Sequence, residues 1–267
     1  MDKLMSAKKD ILGVGVHPFT LVEAVEAITG RIRPAEHEAP TFNIGETPGV
    51  FQVITLNPEM LYRARYDQNI RQLLNRGDLV VPDGYGVVWA GEHLGCSFPE
   101  RVAGIELLQS LAVRAAAAGW RLYLLGGAPG VAADAAANLQ RQHPGLQVAG
   151  TGHGYFGEAE LPAVLQRIRE ADPDLLLVGM GFPKQEQFID EHRQQLGRLV
   201  AVGVGGSFDV VSGRLRRSPL WMQQLRLEWL FRAFQEPARW RRLLVLPRFI
   251  GMVLLTRQEL DSGKGNH

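Results

Sequence analysis

Short apolar runs alternate with amphipathic stretches along most of this chain. Phe51–Leu56 (FQVITL) reads as a buried strand. After Asn57-Pro58 a helical pattern covers 59–75, with proline in its first turn. A short strand over 78–81 (DLVV) ends at Pro82-Asp83-Gly84. A strand over 121–125 (RLYLL) ends at Gly126-Gly127 and leads to a helix over 129–142. A strand over 146–150 runs into Thr151-Gly152-His153-Gly154-Tyr155-Phe156, with a helix over Leu161–Ala171 beyond. Strand 174–178 (DLLLV) ends at Gly179-Met180-Gly181 and is followed by a helix over 185–196. Strand 199–204 (LVAVGV) ends at Gly205-Gly206. Strands that are apolar throughout, alternating with helices, predict an α/β fold: a parallel sheet covered by helices on both faces. Residues 31–49 read as an irregular surface segment and 261–267 as a frayed end. There is no internal repeat, low-complexity tract or clear linker.

In such a sheet, ligands bind outside the carboxyl ends of the strands. Thr55, Asn57, Asp83, Gly126, Gly127, Lys184, Gln185 and Asp209 all follow apolar strands, so the fold brings them to one crevice. Each also has a plainer explanation. Gly126-Gly127-Ala128-Pro129-Gly130 suits phosphate approach at a helix N-terminus, or equally an ordinary tight turn. It is neither a full dinucleotide-binding glycine pattern nor a Walker loop. Gly181-Phe182-Pro183-Lys184-Gln185 places Lys184 and Gln185 in a first helical turn, suited to a diphosphate or a sugar hydroxyl. The alternative there is a solvated turn with Glu186 favourable to the helix dipole. Asp83 is either a turn residue or a base for a hydroxyl nucleophile. Thr55 and Asn57 offer neutral hydrogen bonds to a sugar, or cap the next helix. The seven histidines are scattered without metal-ligand spacing. Asp83 is followed by Gly84 and Tyr85 and so starts no D-x-D, and no G-x-S-x-G occurs, which weakens metal-chelating and serine-nucleophile chemistries.

Composition narrows the class. The chain has 267 residues, 46% hydrophobic and 21% charged, which excludes a disordered protein. The single cysteine, Cys96, excludes an intramolecular disulfide or a cysteine zinc site and suits a reducing compartment. No export signal is visible, and the longest apolar run, 243–255, is interrupted by Pro247 and Arg248. A membrane span needs about 20 apolar residues, so this run is expected to lie on a bilayer rather than cross it.

Net charge is +1 over the whole chain, but it is unevenly spread. Residues 214–248 hold nine arginines against two glutamates, a net of +7, and 249–267 cancel. That leaves −6 for residues 1–213. Three of the five tryptophans (221, 229 and 240) fall in the basic stretch, among arginine, leucine and phenylalanine. This pattern suits an anionic membrane surface. A nucleic-acid-binding module fits the charge alone, but not the polar cluster at the strand ends.

The landmarks taken together resemble the WecG/TagA/CpsF family of bacterial glycosyltransferases. They are Thr55-x-Asn57, DLVVPDG ending at Asp83-Gly84, Arg101-x-x-Gly104, Leu124-Leu125-Gly126-Gly127, and Gly150 to Gly154-Tyr155-Phe156. They continue with Gly179-x-Gly181-x-Pro183-Lys184-Gln185-Glu186, Val204-Gly205-Gly206-x-Phe208-Asp209, and Glu228-Trp229-x-x-Arg232 to Glu236-Pro237 and Arg239. The resemblance implies a Rossmann-like UDP-sugar-binding catalytic domain over 1–213 and a basic helical appendage, membrane-associating, over 214–267. The implied activity is a metal-independent inverting hexosyl transfer without a cofactor. A sugar, N-acetylmannosamine as first choice, would pass from a UDP-sugar to a polyprenyl-diphosphate-linked sugar in teichoic acid or other cell-surface polysaccharide synthesis. UDP-glucose or a UDP-hexuronic acid is the alternative donor, and a UDP-binding scaffold the non-enzyme alternative. The location implied is cytoplasmic and peripheral, at the inner face of the bacterial plasma membrane. Self-association is allowed for, and nucleic acid is not an expected partner.

Carried over position by position, Asp83 is the expected base. Gln185, the Gly126-Gly127 turn, Arg232, Arg239 and Arg242 are expected to stabilise the departing diphosphate. Thr55, Asn57 and Arg101 are expected to hold the donor sugar or the acceptor. Tyr155, Gly181, Pro183 and Lys184 are expected at the donor, with Asp209 at the uridine or organising its loop.

Overall fold

Strands that are apolar on both faces can be satisfied only if helices cover both sides. The computed structural model describes residues 8–32, 49–219, 221, 222, 225, 227–235 and 244–264, with the side chains of Arg232 and of residues 260–264 outside the description. Its centre is a six-stranded, fully parallel sheet in the order β4-β3-β8-β7-β5-β6. The strands are β3 (Phe51–Leu56), β4 (Leu79–Pro82), β5 (Arg121–Gly126), β6 (Gln147–Gly152), β7 (Leu175–Gly179) and β8 (Val200–Gly203). A small antiparallel hairpin, β1 (Lys9–Ile11) and β2 (Val14–Val16), precedes them. His17 ties this hairpin to the edge strand: its Nδ1 accepts from Val80 N–H at 3.0 Å. Burial, with the nearby Lys8 charge, lowers the His17 pKa to about 4, so the ring stays neutral and can accept.

Alternate residues of each strand point to opposite faces. Val53, Leu79, Leu122, Leu124, Leu177 and Val202 face one core. Against them lie α1 (Leu21–Thr29), α5 (Gly104–Ala118), α6 (Val131–Gln142) and α10 (Ser207–Val211). Ile54, Leu56 and Val80 face a second core, with α2 (Pro58–Tyr66), α3 (Gln68–Asn75) and α4 (Tyr85–Leu94). Tyr123, Leu125, Leu176, Val178 and Ala201 face a third, under α7 (Leu161–Ala171), α8 (Lys184–Glu191) and α9 (Arg193–Leu196). Two further helices, α11 (Glu228–Gln235) and α12 (Val245–Lys264), lie in the C-terminal segment.

The α/β reading holds, while several boundaries move. The helix expected over 59–75 is two helices. Asp67 takes an extended backbone between them, and its carboxylate accepts from Asn69 N–H and Ile70 N–H, starting a new helix. The helix expected over 185–196 likewise breaks at His192. The hairpin and helices α1, α4 and α5 were not anticipated.

The C-terminal apolar run divides between core and surface. Phe249, Met252 and Val253 are buried in the core shared with α2 and α4. Leu244, Ile250, Leu254 and Leu255 face outward. Part of the run expected on a bilayer is therefore internal packing, because a helix presents residues three and four apart on one side. Among the described residues no helix is long and apolar enough to cross a membrane.

Candidate active site

The strand ends are level. Leu56 pairs with Pro82, Val178 with Gly203, and Gly126 with Gly179. The loops that follow therefore share one rim. The chain leaves β5 outward to β6 but leaves β7 toward β8 on the other side, so the order reverses between β5 and β7. That is where a crevice opens in an open α/β sheet.

Asp83 follows β4, and its N–H donates to Leu56 O at 2.7 Å, which fixes the turn against β3. Thr55 lies one residue before the end of β3. Its hydroxyl donates to Gly203 O at 2.8 Å, bracing β3 to β8. Gly104, the first residue of α5, faces both: a Cβ there would lie 3.4 Å from Thr55 Oγ1 and 3.8 Å from Asp83 Oδ2. Asn57 caps α2, with Oδ1 accepting from Met60 N–H at 3.1 Å. The helix-capping reading of Asn57 is thus realised, and its side-chain amide nitrogen is not used in the cap.

Arg101 sits beside Asp83. Its guanidinium lies 4.8 Å over the Tyr85 ring. It donates to Glu228 at 2.9 Å and to Glu106 at 3.2 Å. Burial works against the cation, but the bond to Glu228 and the charges of Glu106, Glu228 and Asp83 outweigh it and raise the Arg101 pKa. Arg217 completes the group, 2.8 Å from Glu106 and 3.9 Å from Glu228. Arg101, Glu106, Arg217 and Glu228 thus alternate in charge around a closed ring, two from the body and two from the C-terminal segment. Tyr85 and Arg101 also line a cavity of about 420 Å³ with Val88, Trp89 and Phe98.

On the other half of the rim the glycine loops hold one another. Gly127 N–H donates to Gly179 O and Gly154 N–H to Gly127 O, both at 2.9 Å. Gly126 has a φ of +149° and is packed so closely that a Cβ would collide with the Gly179 backbone. The Gly127 amide expected at a diphosphate is thus taken up in joining loops. Gln185 is buried, and its Oε1 accepts from Gly181 N–H at 3.3 Å and Gly205 N–H at 3.1 Å. Its Nε2 donates to Glu186 Oε1 at 2.7 Å. Pro183 precedes α8, Lys184 is exposed in its first turn, and Tyr155 is exposed beside the Gly154 loop. Asp209 lies in α10, and its carbonyl accepts from Leu215 N–H at 2.8 Å. Arg239, Arg242 and the Arg232 side chain lie outside the described residues.

From the sequence, Tyr85, Glu106, Gly203 and Arg217 carried no individual role, and Glu186 was either part of a ligand-binding motif or a solvated turn residue. Glu186 is 1% exposed, and burial raises its pKa to about 7 against the pull of the Gln185 amide and its own backbone N–H. Its place in the Lys-Gln-Glu string was the only available signal. No group of three or more His, Cys, Asp or Glu residues is arranged for metal binding among the described residues.

A parallel α/β sheet with a carboxylate, a guanidinium and hydroxyl groups at its strand ends is the frame of a group-transfer enzyme. The chain belongs to the glycosyl transferase WecG/TagA/CpsF family, whose model matches residues 9–263. It is similar to proteins named N-acetylglucosaminyldiphosphoundecaprenol N-acetyl-beta-D-mannosaminyltransferase. The one from Bacillus spizizenii is 36% identical over 85% of this chain and 86% of its own. The one from Bacillus subtilis is 34% identical over 76% and 78%. The one from Staphylococcus aureus strain MW2 is 33% identical over 97% of both chains.

Proposed function

We propose that this protein transfers N-acetylmannosamine, with inversion, from a UDP-sugar to an N-acetylglucosamine carried on undecaprenyl diphosphate. The observation that carries the reading is the placement of Asp83 beside Thr55, Gly104 and Arg101 in a chain related to transferases of that name. Asp83 accepts the proton of the acceptor hydroxyl as that oxygen bonds to the anomeric carbon. The bond from this carbon to the donor diphosphate breaks, and its electron pair leaves on UDP. Arg101 is the described cation closest in role to the departing charge; the arginines of the C-terminal segment are further candidates. Gln185 serves the donor through the loops it joins. Arg101 is already held by carboxylates, so the substrate diphosphate must compete with Glu228 for it.

Asp83→Asn tests the base. Turnover should fall about 10²–10⁴-fold while UDP affinity is retained. Wild-type turnover would remove Asp83 from that role. The assay is UDP release and product mass across several UDP-sugars with a short-chain prenyl-diphosphate acceptor.

A lipid-linked acceptor supports peripheral association with the inner face of the plasma membrane. Trp221, Leu225, Trp229 and Phe234 are exposed on the basic segment and support this. Truncation is a poor test, since Phe249 and Val253 belong to the core. Trp221→Glu with Trp229→Glu should instead reduce co-sedimentation with anionic vesicles. Undiminished sedimentation would refute the contact.

A further inference from the structure

Gln185 is the described side chain that joins the loops after β7 and β8, since its single carbonyl oxygen accepts from both Gly181 N–H and Gly205 N–H. A side-chain amide can be turned over with little change of shape. Turned over here, its NH₂ would face two N–H donors, which repel it, and the Glu186 oxygen that now accepts would lose its donor. The side chain that joins the two backbone N–H groups in selecting the orientation is Glu186, whose Oε1 accepts from Gln185 Nε2.

We propose that Glu186 is a positioning residue of the transferase: its carboxyl orients the Gln185 amide and thereby holds the Gly181 and Gly205 loops in the geometry that binds the donor. This rests on the transferase reading for what the loops bind, and on geometry alone for how they are held.

The surroundings of Glu186 are built for that contact. Gly203, opposite in β8, leaves the necessary space. A Cβ there would lie 2.7 Å from Gln185 Nε2 and 3.2 Å from Glu186 Oε1. The Glu186 backbone is anchored as well, because Gln52 Nε2 donates to its carbonyl at 3.1 Å. Gln52 Oε1 in turn accepts from Arg193 Nη2 at 2.8 Å, and Arg193 bonds Asp78 at 2.8 Å. The Glu186 side chain thus has one tight bond to Gln185, while Oε2 is buried without a hydrogen-bond partner. A buried carboxyl is costly unless paired, and an apolar residue would fill the same space without that cost. An apolar residue would also leave Gln185 Nε2 buried and unpaired, and would remove the shortest of the three contacts that orient the amide. Among the described residues the influences on Glu186 are burial, the Gln185 amide and its own backbone N–H. The Arg193–Asp78 pair is linked to it through Gln52.

The test uses the full-length protein with UDP-N-acetylmannosamine and a short-chain prenyl-diphosphate-linked N-acetylglucosamine. It compares Glu186→Gln, Glu186→Leu and Gly203→Ala. Glutamine keeps an acceptor oxygen facing Gln185 and should leave kinetics close to wild type. Leucine should raise the donor KM about tenfold or more, with acceptor KM little changed. Gly203→Ala pushes on Gln185 Nε2 from the other side and should show the same donor-specific loss. It also serves if the leucine variant does not fold. Amide hydrogen exchange over 179–186 and 203–207 gives a second readout that needs no turnover: faster in leucine, unchanged in glutamine. Exchange that follows this pattern in a protein that transfers no sugar would support the positioning role and sink the transferase reading. Wild-type donor KM and exchange in both Glu186→Leu and Gly203→Ala would overturn the proposal. So would equal impairment of the glutamine and leucine variants.

Discussion

Glu228→Gln keeps the shape of the side chain and removes its charge from the Arg101 ring. Arg101 is 13% exposed and Glu228 25%, so their 2.9 Å contact is shielded from water on most sides. A hydrogen bond to a charged group at such a site contributes about 1.5–3 kcal/mol. Glutamine still accepts one weaker bond, and Glu106 remains 3.2 Å away, so the expected loss is about 1–2 kcal/mol. For a chain of this size that is about 2–4 °C in Tm. Arg217 touches the same ring but is 39% exposed, so Arg217→Gln should cost less than about 1 kcal/mol. The distinguishing measurement is a double-mutant cycle by calorimetry with Arg101→Gln and Glu228→Gln, where coupling of about 1 kcal/mol is expected. Trypsin cleavage in the C-terminal segment should also quicken in Glu228→Gln, because two of the four ring members belong to that segment. Additive effects, or a Glu228 change no larger than the Arg217 one, would refute the ring as the joint between segment and site.

Burial gives Glu186 a pKa of about 7 against an ordinary 4.5, so the folded chain keeps a proton that the unfolded chain releases. The stability from this group is complete below pH 4.5 and declines as pH rises to about 7. The difference in urea unfolding between wild type and Glu186→Gln should therefore shift by about 2–3 kcal/mol between pH 5 and 7.5, and a constant difference would contradict it. Gly126→Ala should destabilise by about 3 kcal/mol or more, since both its φ of +149° and the Gly179 backbone oppose a Cβ. Gly157→Ala, where nothing lies within 4 Å, is the control, and equal Tm values in the two variants would show the close approach to be wrong.

The positions of Asp83, Thr55 and Gln185 at strand ends were readable because strands buried on both faces are apolar throughout and stop at polar or glycine turns. Such punctuation is local, and so it survives in one dimension. Helices α4 and α5 were missed for the same reason. Gly104–Ala118 is rich in alanine and leucine on several sides, and α4 carries glycines, so neither shows a clean apolar stripe. The burial of Gln185 and Glu186 was not legible, because burial is not a property of a neighbouring pair. Both lie in a helix's first turn, a place that is usually wet, and β3 and β8 packing against it remove the water.

The linear order of residues was enough to establish a parallel α/β fold, the strand ends at which chemistry gathers, and a split between an acidic body and a basic C-terminal segment. Each follows from short-range rules of periodicity, turns and charge. What the basic segment touches was decided by packing. Arg217 and Glu228 close a ring with Arg101 and Glu106, and Arg214 meets Asp134 at 2.8 Å, so part of the charge split is satisfied within the chain. Phe249 and Val253 enter the core, while Leu254 beside them stays outside. These outcomes depend on which surfaces the fold brings within a few ångströms. Ion pairs and buried carboxyls weaken or vanish at longer range, so their partners cannot be assigned until the sheet and its helices have set the distances.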